Sequence, residues 1–375
     1  LAAQRLFDAW DQCASSYDNS PVAHRIEQVA AGWLLDILDL PREADVTFGT
    51  TTISCGFSCL ATARRILLER QGWDIERQGM AGAPPLRIVV SELAHVTILK
   101  NLRLLGFGSD SIVTAPVDAY GRVDPARLPE LDDRTILCLQ AGEVNTGECD
   151  PFSDIIPRAR AAGAWVHIDG SFGLWARASA ELRHLAKGVE GADSWTVDGH
   201  KWLNTPYDGA AGICRHRDAL AGTMMSATAY APGTSDSQMN LGLEFSRRAR
   251  GLPFWVALRS LGRDGVAEMI ERHCRQARLL ARALNTSGAR VLNRVVLNQV
   301  LFRLDTDRDT DAFRERVIAT GRIWFGPSKW RGRKACRLSV SNWQSDDDSV
   351  AAAIGLLTAH LTPVAMEAAP QNDLG

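Results

Sequence analysis

The chain has 375 residues, 46% hydrophobic and 23% charged, enough for a large domain with a substantial core and a smaller one beside it. A formal net charge of -2 offers no basic surface to nucleic acid or an anionic membrane, and no uninterrupted apolar run is long enough to span a bilayer. No secretory signal is visible, and eight scattered cysteines without a CxxC pair or a His/Cys cluster at ligand spacing predict reduced thiols of a cytoplasmic protein with no metal site.

The chain begins at Leu1 rather than Met, and residues 1–40 read as a helical remnant of a longer leader. Within them Ile26, Val29, Ala30, Trp33, Leu34, Ile37 and Leu38 recur at helical spacing, and Pro41 predicts the helix end. Residues 57–71, rich in Ala, Leu and Arg, predict a second helix. Short apolar runs follow at 87–91, 111–116, 135–140, 164–169, 194–198 and 211–215, separated by helical or turn text. That alternation predicts an α/β layer with a mostly parallel sheet over residues 41–262. From about 253 the pattern changes to a long helix through Trp255, Leu258, Leu261, Val266, Met269, Ile270 and His273. Strands at 296–304 and 335–341 and a helix at 346–361 then predict a smaller C-terminal α+β domain over 263–375, ending in a loose tail from Ala368.

The chemistry concentrates in two segments. Trp165-Val166-His167-Ile168-Asp169-Gly170 is an apolar run ending in an acid, and 32 residues after that acid comes Lys201, in Asp198-Gly199-His200-Lys201-Trp202. An amine that can form a Schiff base and a carboxylate that can keep a pyridine nitrogen protonated are the two groups pyridoxal phosphate (PLP) requires of its protein. There are five lysines. Lys201 alone follows a buried-looking strand (Ser194-Trp195-Thr196-Val197), whereas Lys187, Lys329 and Lys334 read as solvated loops and Lys100 as part of an amphipathic helix. Asp169 has a second reading as the cap of the segment that follows, and both readings place it at a strand's carboxyl end, where open α/β sheets bind ligands. Thr50-Thr51-Thr52-Ile53-Ser54 precedes the helix expected near Phe57; it reads as an anion site at a helix N-terminus or simply as a cap. His95 follows the run 87–91, and Asn145-Thr146-Gly147 is a turn after 135–140.

These segments, with Gly191-Ala192-Asp193-Ser194 before the His-Lys pair and Trp202-Leu203-Asn204-Thr205-Pro206-Tyr207-Asp208 after it, resemble the pyridoxal-dependent group II decarboxylases, the family of the aromatic-amino-acid and glutamate decarboxylases. The resemblance implies a PLP-dependent transferase-like fold (aspartate aminotransferase fold, fold type I) and decarboxylation of an L-amino acid to the amine by a homodimer. It implies Lys201 as the lysine that holds the cofactor, Asp169 as the partner of its ring nitrogen and His95 stacked on the ring. It also implies cofactor contacts at Thr51, Thr52, Ile53, Thr146, Ser171, Asp198 and His200. Tyr230, 29 residues after Lys201 in a turn-rich loop, matches the tyrosine that protonates Cα after CO2 leaves, and phenol is a donor that stays protonated at neutral pH. The family usually has Gly where Thr51 stands and often Asn at Gly56. The patch Phe245-Ser246-Arg247-Arg248-Ala249-Arg250 is open to substrate, dimer or solvated-face readings, and Arg337 to Trp343 reads as a small-domain strand without a carboxylate clamp. The alternatives are oxidative decarboxylation–deamination to an aldehyde, transamination, or a catalytically silent PLP-binding relative.

Overall fold

The computed structural model of the chain describes residues 2–226 and 233–361; Tyr230 and the tail from Ala368 lie outside the described residues. The chain forms two compact units, Leu1–His273 with Ser341–Trp343, and Cys274–Val340 with the residues from Gln344 onward.

In the first unit α1 (Ala2–Trp10) and α2 (Pro21–Ile37) lead to β1 (Asp45–Gly49). α2 begins on Pro21, where the missing N–H is harmless, and ends before the predicted limit because Asp39 turns left-handed at φ 51. Its helical spacing holds, yet Val29 and Trp33 are 41% and 36% exposed while Ala30, Leu34, Ile37 and Leu38 are buried. The next helix, α3 (Thr52–Arg70), starts five residues before the expected Phe57. Thr, Ile and Ser are indifferent helix formers, but a capping box outweighs propensity here: Ser54 N–H donates to Thr51 Oγ1 and Thr51 N–H to Ser54 Oγ.

The chain continues through α4 (Ile75–Gln78), β2 (Arg87–Ser91), α5 (Val96–Leu104), β3 (Ile112–Ala115), β4 (Thr135–Gln140), α6 (Phe152–Ala161), β5 (Trp165–Asp169), β6 (Ser194–Asp198), β7 (Ala210–Cys214) and α7 (Ala219–Met224). All six predicted apolar runs are strands, and β1 was missed because its Thr and Gly break the run. The sheet order is β1-β7-β6-β5-β4-β2-β3. From β3 to β6 the neighbours pair in parallel; β7 and β1 join antiparallel. Leu60 and Leu67 of α3 pack with Ile88, Ile136 and Trp165 in a core that covers one sheet face. Burial on both faces is why these strands read as unbroken apolar text.

α8 (Leu252–Thr286) leads out of this unit, kinked at Gly262 (φ 64), where the sequence reading set its domain boundary. In the second unit β8 (Arg290–Val291), β9 (Gln299–Arg303), β10 (Gly326–Trp330) and β11 (Arg333–Ser339) form an antiparallel sheet ordered β10-β11-β9-β8. With α9 (Asp307–Ala319) and α10 (Asp347–Leu361) it encloses Phe302, Phe313 and Phe325. Lys329 and Lys334, expected in loops, face each other across β10 and β11; alternating exposed and half-buried positions hid β10 from an apolar-run search.

Candidate active site

The carboxyl ends of β2, β4, β5 and β6 share one sheet edge, and the expected site residues leave the sheet there. Asp169, the last residue of β5, is 7% exposed. Its Oδ1 accepts from Ser171 N–H at 3.2 Å and from Ser171 Oγ–H at 2.6 Å. Ser171 Oγ lies 3.3 Å from Thr52 Oγ1. Thr52, at the start of α3, donates its N–H to Asp198 Oδ1 at 3.1 Å, and its hydroxyl lies 3.4 Å from Oδ2. Asp198, the last residue of β6, faces Lys201 Nζ at 3.0 Å and His200 Nε2 at 3.7 Å. A continuous polar chain therefore brings together Asp169, Ser171, Thr52, Asp198, His200 and Lys201.

Tight local packing builds this arrangement. Gly170 N–H bonds to the Thr196 carbonyl, and a Cβ on Gly173 would lie 2.4 Å from the Ala141 carbonyl oxygen, so only glycine lets the loop after β5 approach the turn after β4. Trp175 Nε1 donates to the Asp198 carbonyl at 3.0 Å. His200 Nδ1 lies 2.9 Å from the Gly209 carbonyl, which marks Nδ1 as the protonated nitrogen and leaves Nε2 toward Asp198.

The segment after Lys201 is equally fixed. Trp202 Nε1 donates to His273 Nδ1 at 3.0 Å, and His273 Nε2 donates to the Asn342 carbonyl at 2.9 Å. Burial pulls His273 down to about 4, so the ring is neutral and can accept from the indole. Asn204, left-handed at φ 56, donates to the carbonyls of Trp202 and Ser341 at 2.7 and 2.8 Å and accepts from Trp343 N–H. Behind Asp169 on the same strand, His167 is fully buried, and burial pulls it to about 4 against the opposing charge of Asp169. Its Nδ1 pairs with Ser194 Oγ at 2.9 Å.

Four expected residues stand apart from the polar chain. Thr51 caps α3, while Ile53 lies in its first turn, where its carbonyl accepts from Asn101 of α5 at 3.0 Å. His95 caps α5, with Thr97 Oγ1 2.7 Å from Nδ1, at the end of β2, two strands from Asp169. Thr146 is buried: its N–H and hydroxyl donate to Glu143 Oε2 at 2.7 and 2.9 Å, so the hydroxyl expected beside the cofactor serves its own turn. Burial pushes the Glu143 carboxyl upward.

The arginine patch is committed to ion pairs within the unit. Arg247 pairs with Glu27 inside the protein, Arg248 with Asp8, and Arg250 with Glu244 and Asp208. Sequence reasoning missed Glu27, Glu143, Asn204 and Tyr207, whose ring stacks on His200 with centroids 4.1 Å apart. Only Tyr207 carried a signal, its closeness to the His-Lys pair. Among the described residues no cluster of three or more His, Cys, Asp or Glu side chains comes together as a metal site, and no helix is long and apolar enough to cross a membrane.

Comparison with known proteins gives a consistent set of likenesses. Tryptophan decarboxylase 1 of Oryza sativa subsp. japonica is 28% identical over 403 residues, covering 95% of this chain and 76% of its own. L-2,4-diaminobutyrate decarboxylase of Rhizobium meliloti (strain 1021) is 28% identical over 374 residues, covering 93% and 72%. The crystal structure of Oryza sativa TDC with PLP and tryptamine superposes with a TM-score of 0.88 at 24% identity, covering 96% of this chain and 80% of that one. The fold is thus that of the fold-type-I PLP enzymes, as expected. The profile of the pyridoxal-dependent decarboxylase conserved domain matches residues 1–305, and the chain belongs to that family.

Proposed function

We propose that this protein removes CO2 from an L-amino acid to give the amine, using pyridoxal 5'-phosphate held at the β5–β6 edge. The observation that carries the reading is the convergence of the Lys201 amine and the buried Asp169 carboxylate beside the N-terminus of α3. The donor set fits PLP: a lysine for its aldehyde, an anchored carboxylate for its ring nitrogen, and a helix N-terminus for its phosphate. One mismatch is local. Asp198 occupies the Thr52 N–H of that N-terminus, so the phosphate would be held by the remaining donors of the Thr51–Ile53 turn.

Bound PLP supplies an aldehyde for a C=N bond and a ring that withdraws electrons from the bond to the carboxylate. The chain's residues do the rest. Lys201 holds the cofactor and yields its place to the substrate amine. Asp169, kept in one orientation by two Ser171 donors, holds the proton on the ring nitrogen. His95, oriented through Nδ1 by Thr97, would pack over the cofactor ring. Tyr230 delivers the proton to Cα after CO2 departs. The exposed apolar side chains of the N-terminal helices (Leu6, Trp10 and Val22, each about half exposed) support a homodimer, and eight free thiols, seven of them buried, support a reducing cytoplasmic setting.

Absorption spectra with PLP, then CO2, amine and H2O2 measured over tryptophan, tyrosine, 2,4-diaminobutyrate and glutamate, test the assignment, with Lys201→Ala as control. A Schiff-base band lost in Lys201→Ala, with CO2 and amine in equal amounts, is the expected result. Peroxide and aldehyde in place of amine would move the assignment to oxidative decarboxylation–deamination. Keto-acid formation would move it to transamination, and a band without turnover to a silent relative.

A further inference from the structure

Lys201 Nζ already has a partner. It lies 3.0 Å from Asp198 Oδ2, and the two side chains differ sharply in freedom: Lys201 is 40% exposed on a flexible stem, Asp198 2% exposed. Asp198 is held on every side. Its N–H donates to the Ser171 carbonyl at 2.9 Å, its own carbonyl accepts from Trp175, and Oδ1 accepts from Thr52 N–H. The carboxylate is therefore stationary and the amine mobile. A buried carboxylate also needs a counter-charge, and the Lys201 ammonium faces it at 3.0 Å.

We propose that Asp198 is the dock that receives the Lys201 amine whenever that amine is not bonded to the cofactor. The inference rests on the reading of Lys201 as the cofactor lysine. The substrate ammonium first passes one proton to the C=N nitrogen of Lys201, and the freed amine then bonds to the aldehyde carbon. As the bond from that carbon to Nζ breaks, the two remaining N–H protons of the substrate pass to Nζ, so three protons move in all, Lys201 departs as an ammonium and charge is conserved. Docked against Asp198 it has no lone pair and does not attack again, which draws the exchange toward the substrate-bound state. Asp198 is a positioning residue in this scheme, acting through Lys201 and not on the reacting carbon.

The first test uses the cofactor-free full chain, so it needs no decarboxylase activity. Reductive methylation with formaldehyde and cyanoborohydride at a fixed neutral pH is read peptide by peptide by mass spectrometry, with exposed Lys100 and Lys187 as internal references. Lys201 should label more slowly than Lys100. Asp198→Asn should raise its rate about tenfold, the scale on which one adjacent carboxylate acts, while Asp198→Glu stays slow. In the loaded protein, the methylamine concentration that half-displaces the lysine, followed at the absorption band, should rise about tenfold in Asp198→Asn. Equal labelling of Lys201 in wild type and Asp198→Asn overturns the proposal. So does wild-type labelling of Lys201 as fast as Lys100, a comparison that stands even if Asp198→Asn fails to fold. Persistence of the PLP band in Lys201→Ala would instead remove the cofactor reading and leave the labelling result intact.

Discussion

Replacing Glu27 by Leu should unfold the first unit more readily and loosen cofactor binding together. Its carboxylate takes Arg247 Nη1 at 2.7 Å, Nη2 at 2.9 Å and the Gly251 N–H at 2.9 Å, and both charged side chains are 1% exposed. Loss of the carboxylate leaves a guanidinium inside the protein with only the carbonyls of Ala14 and Phe48. Breaking a buried pair from one side costs about 3–5 kcal/mol, and the two remaining acceptors put the expectation near the lower figure, about 3 kcal/mol. For a unit of this size that lowers Tm by roughly 5 °C. Phe48 is one residue before Gly49, which leads into the turn that starts α3, so PLP affinity should fall with stability. The assay is a double-mutant cycle of Glu27→Leu and Arg247→Met by thermal and urea unfolding. The double variant should recover more than half of the loss, because neither buried charge then remains. A single substitution costing under about 1 kcal/mol, or a double variant weaker than both singles, would refute the argument.

Three further outcomes are expected. His167, held near 4 in the fold against 6.5 for the free ring, binds its proton preferentially in the unfolded chain between those values, so its contribution to stability is lost as pH falls through that window. The gap in urea midpoint between wild type and His167→Gln should narrow as pH drops from 7 toward 4.5, and a constant gap would count against it. Gly173→Ala should cost about 1–3 kcal/mol and weaken PLP binding, because the new Cβ meets backbone at Ala141 and Gly142; unchanged Tm and affinity would show that the loop yields. Ser171→Ala removes a 2.6 Å hydroxyl donor from Asp169 and should weaken PLP binding about tenfold in a fluorescence titration, the scale of a hydrogen bond to a charged group. Unchanged affinity would mean that the backbone donor alone orients the carboxylate.

Much of the site was legible because it lies where strands end. Asp169 closes one strand buried on both faces and Lys201 follows another by three residues, which leaves plain apolar runs in the sequence with an unlike residue at or just past the end. The start of α3 was misread for the opposite reason: Thr51 and Ser54 make a helix end out of residues that disfavour helix, and the reciprocal hydrogen bonds between them are not a property of either residue alone. The arginine patch failed similarly. Nothing local to Arg247 distinguishes a solvated side chain from one buried against Glu27, 220 residues earlier. Thr146 was placed at the right edge, but its hydroxyl is claimed by Glu143, a contact set by the fold of one turn and invisible to spacing.

The antiparallel pairing of β1 with β7 joins Asp45 to Cys214, strands far apart along the chain, and so bears on the order in which the molecule forms. Closing so long a loop is among the slower steps available to a chain, so the parallel strands can associate before β1 takes its place at the edge. Until it does, the start of α3 has no fixed position beside Asp198. Cofactor capture therefore reports the closing of this sheet, and a polypeptide emerging from the ribosome acquires its binding site only after residue 214 has been made. PLP added during refolding should then leave the early phases untouched and raise the yield of the last.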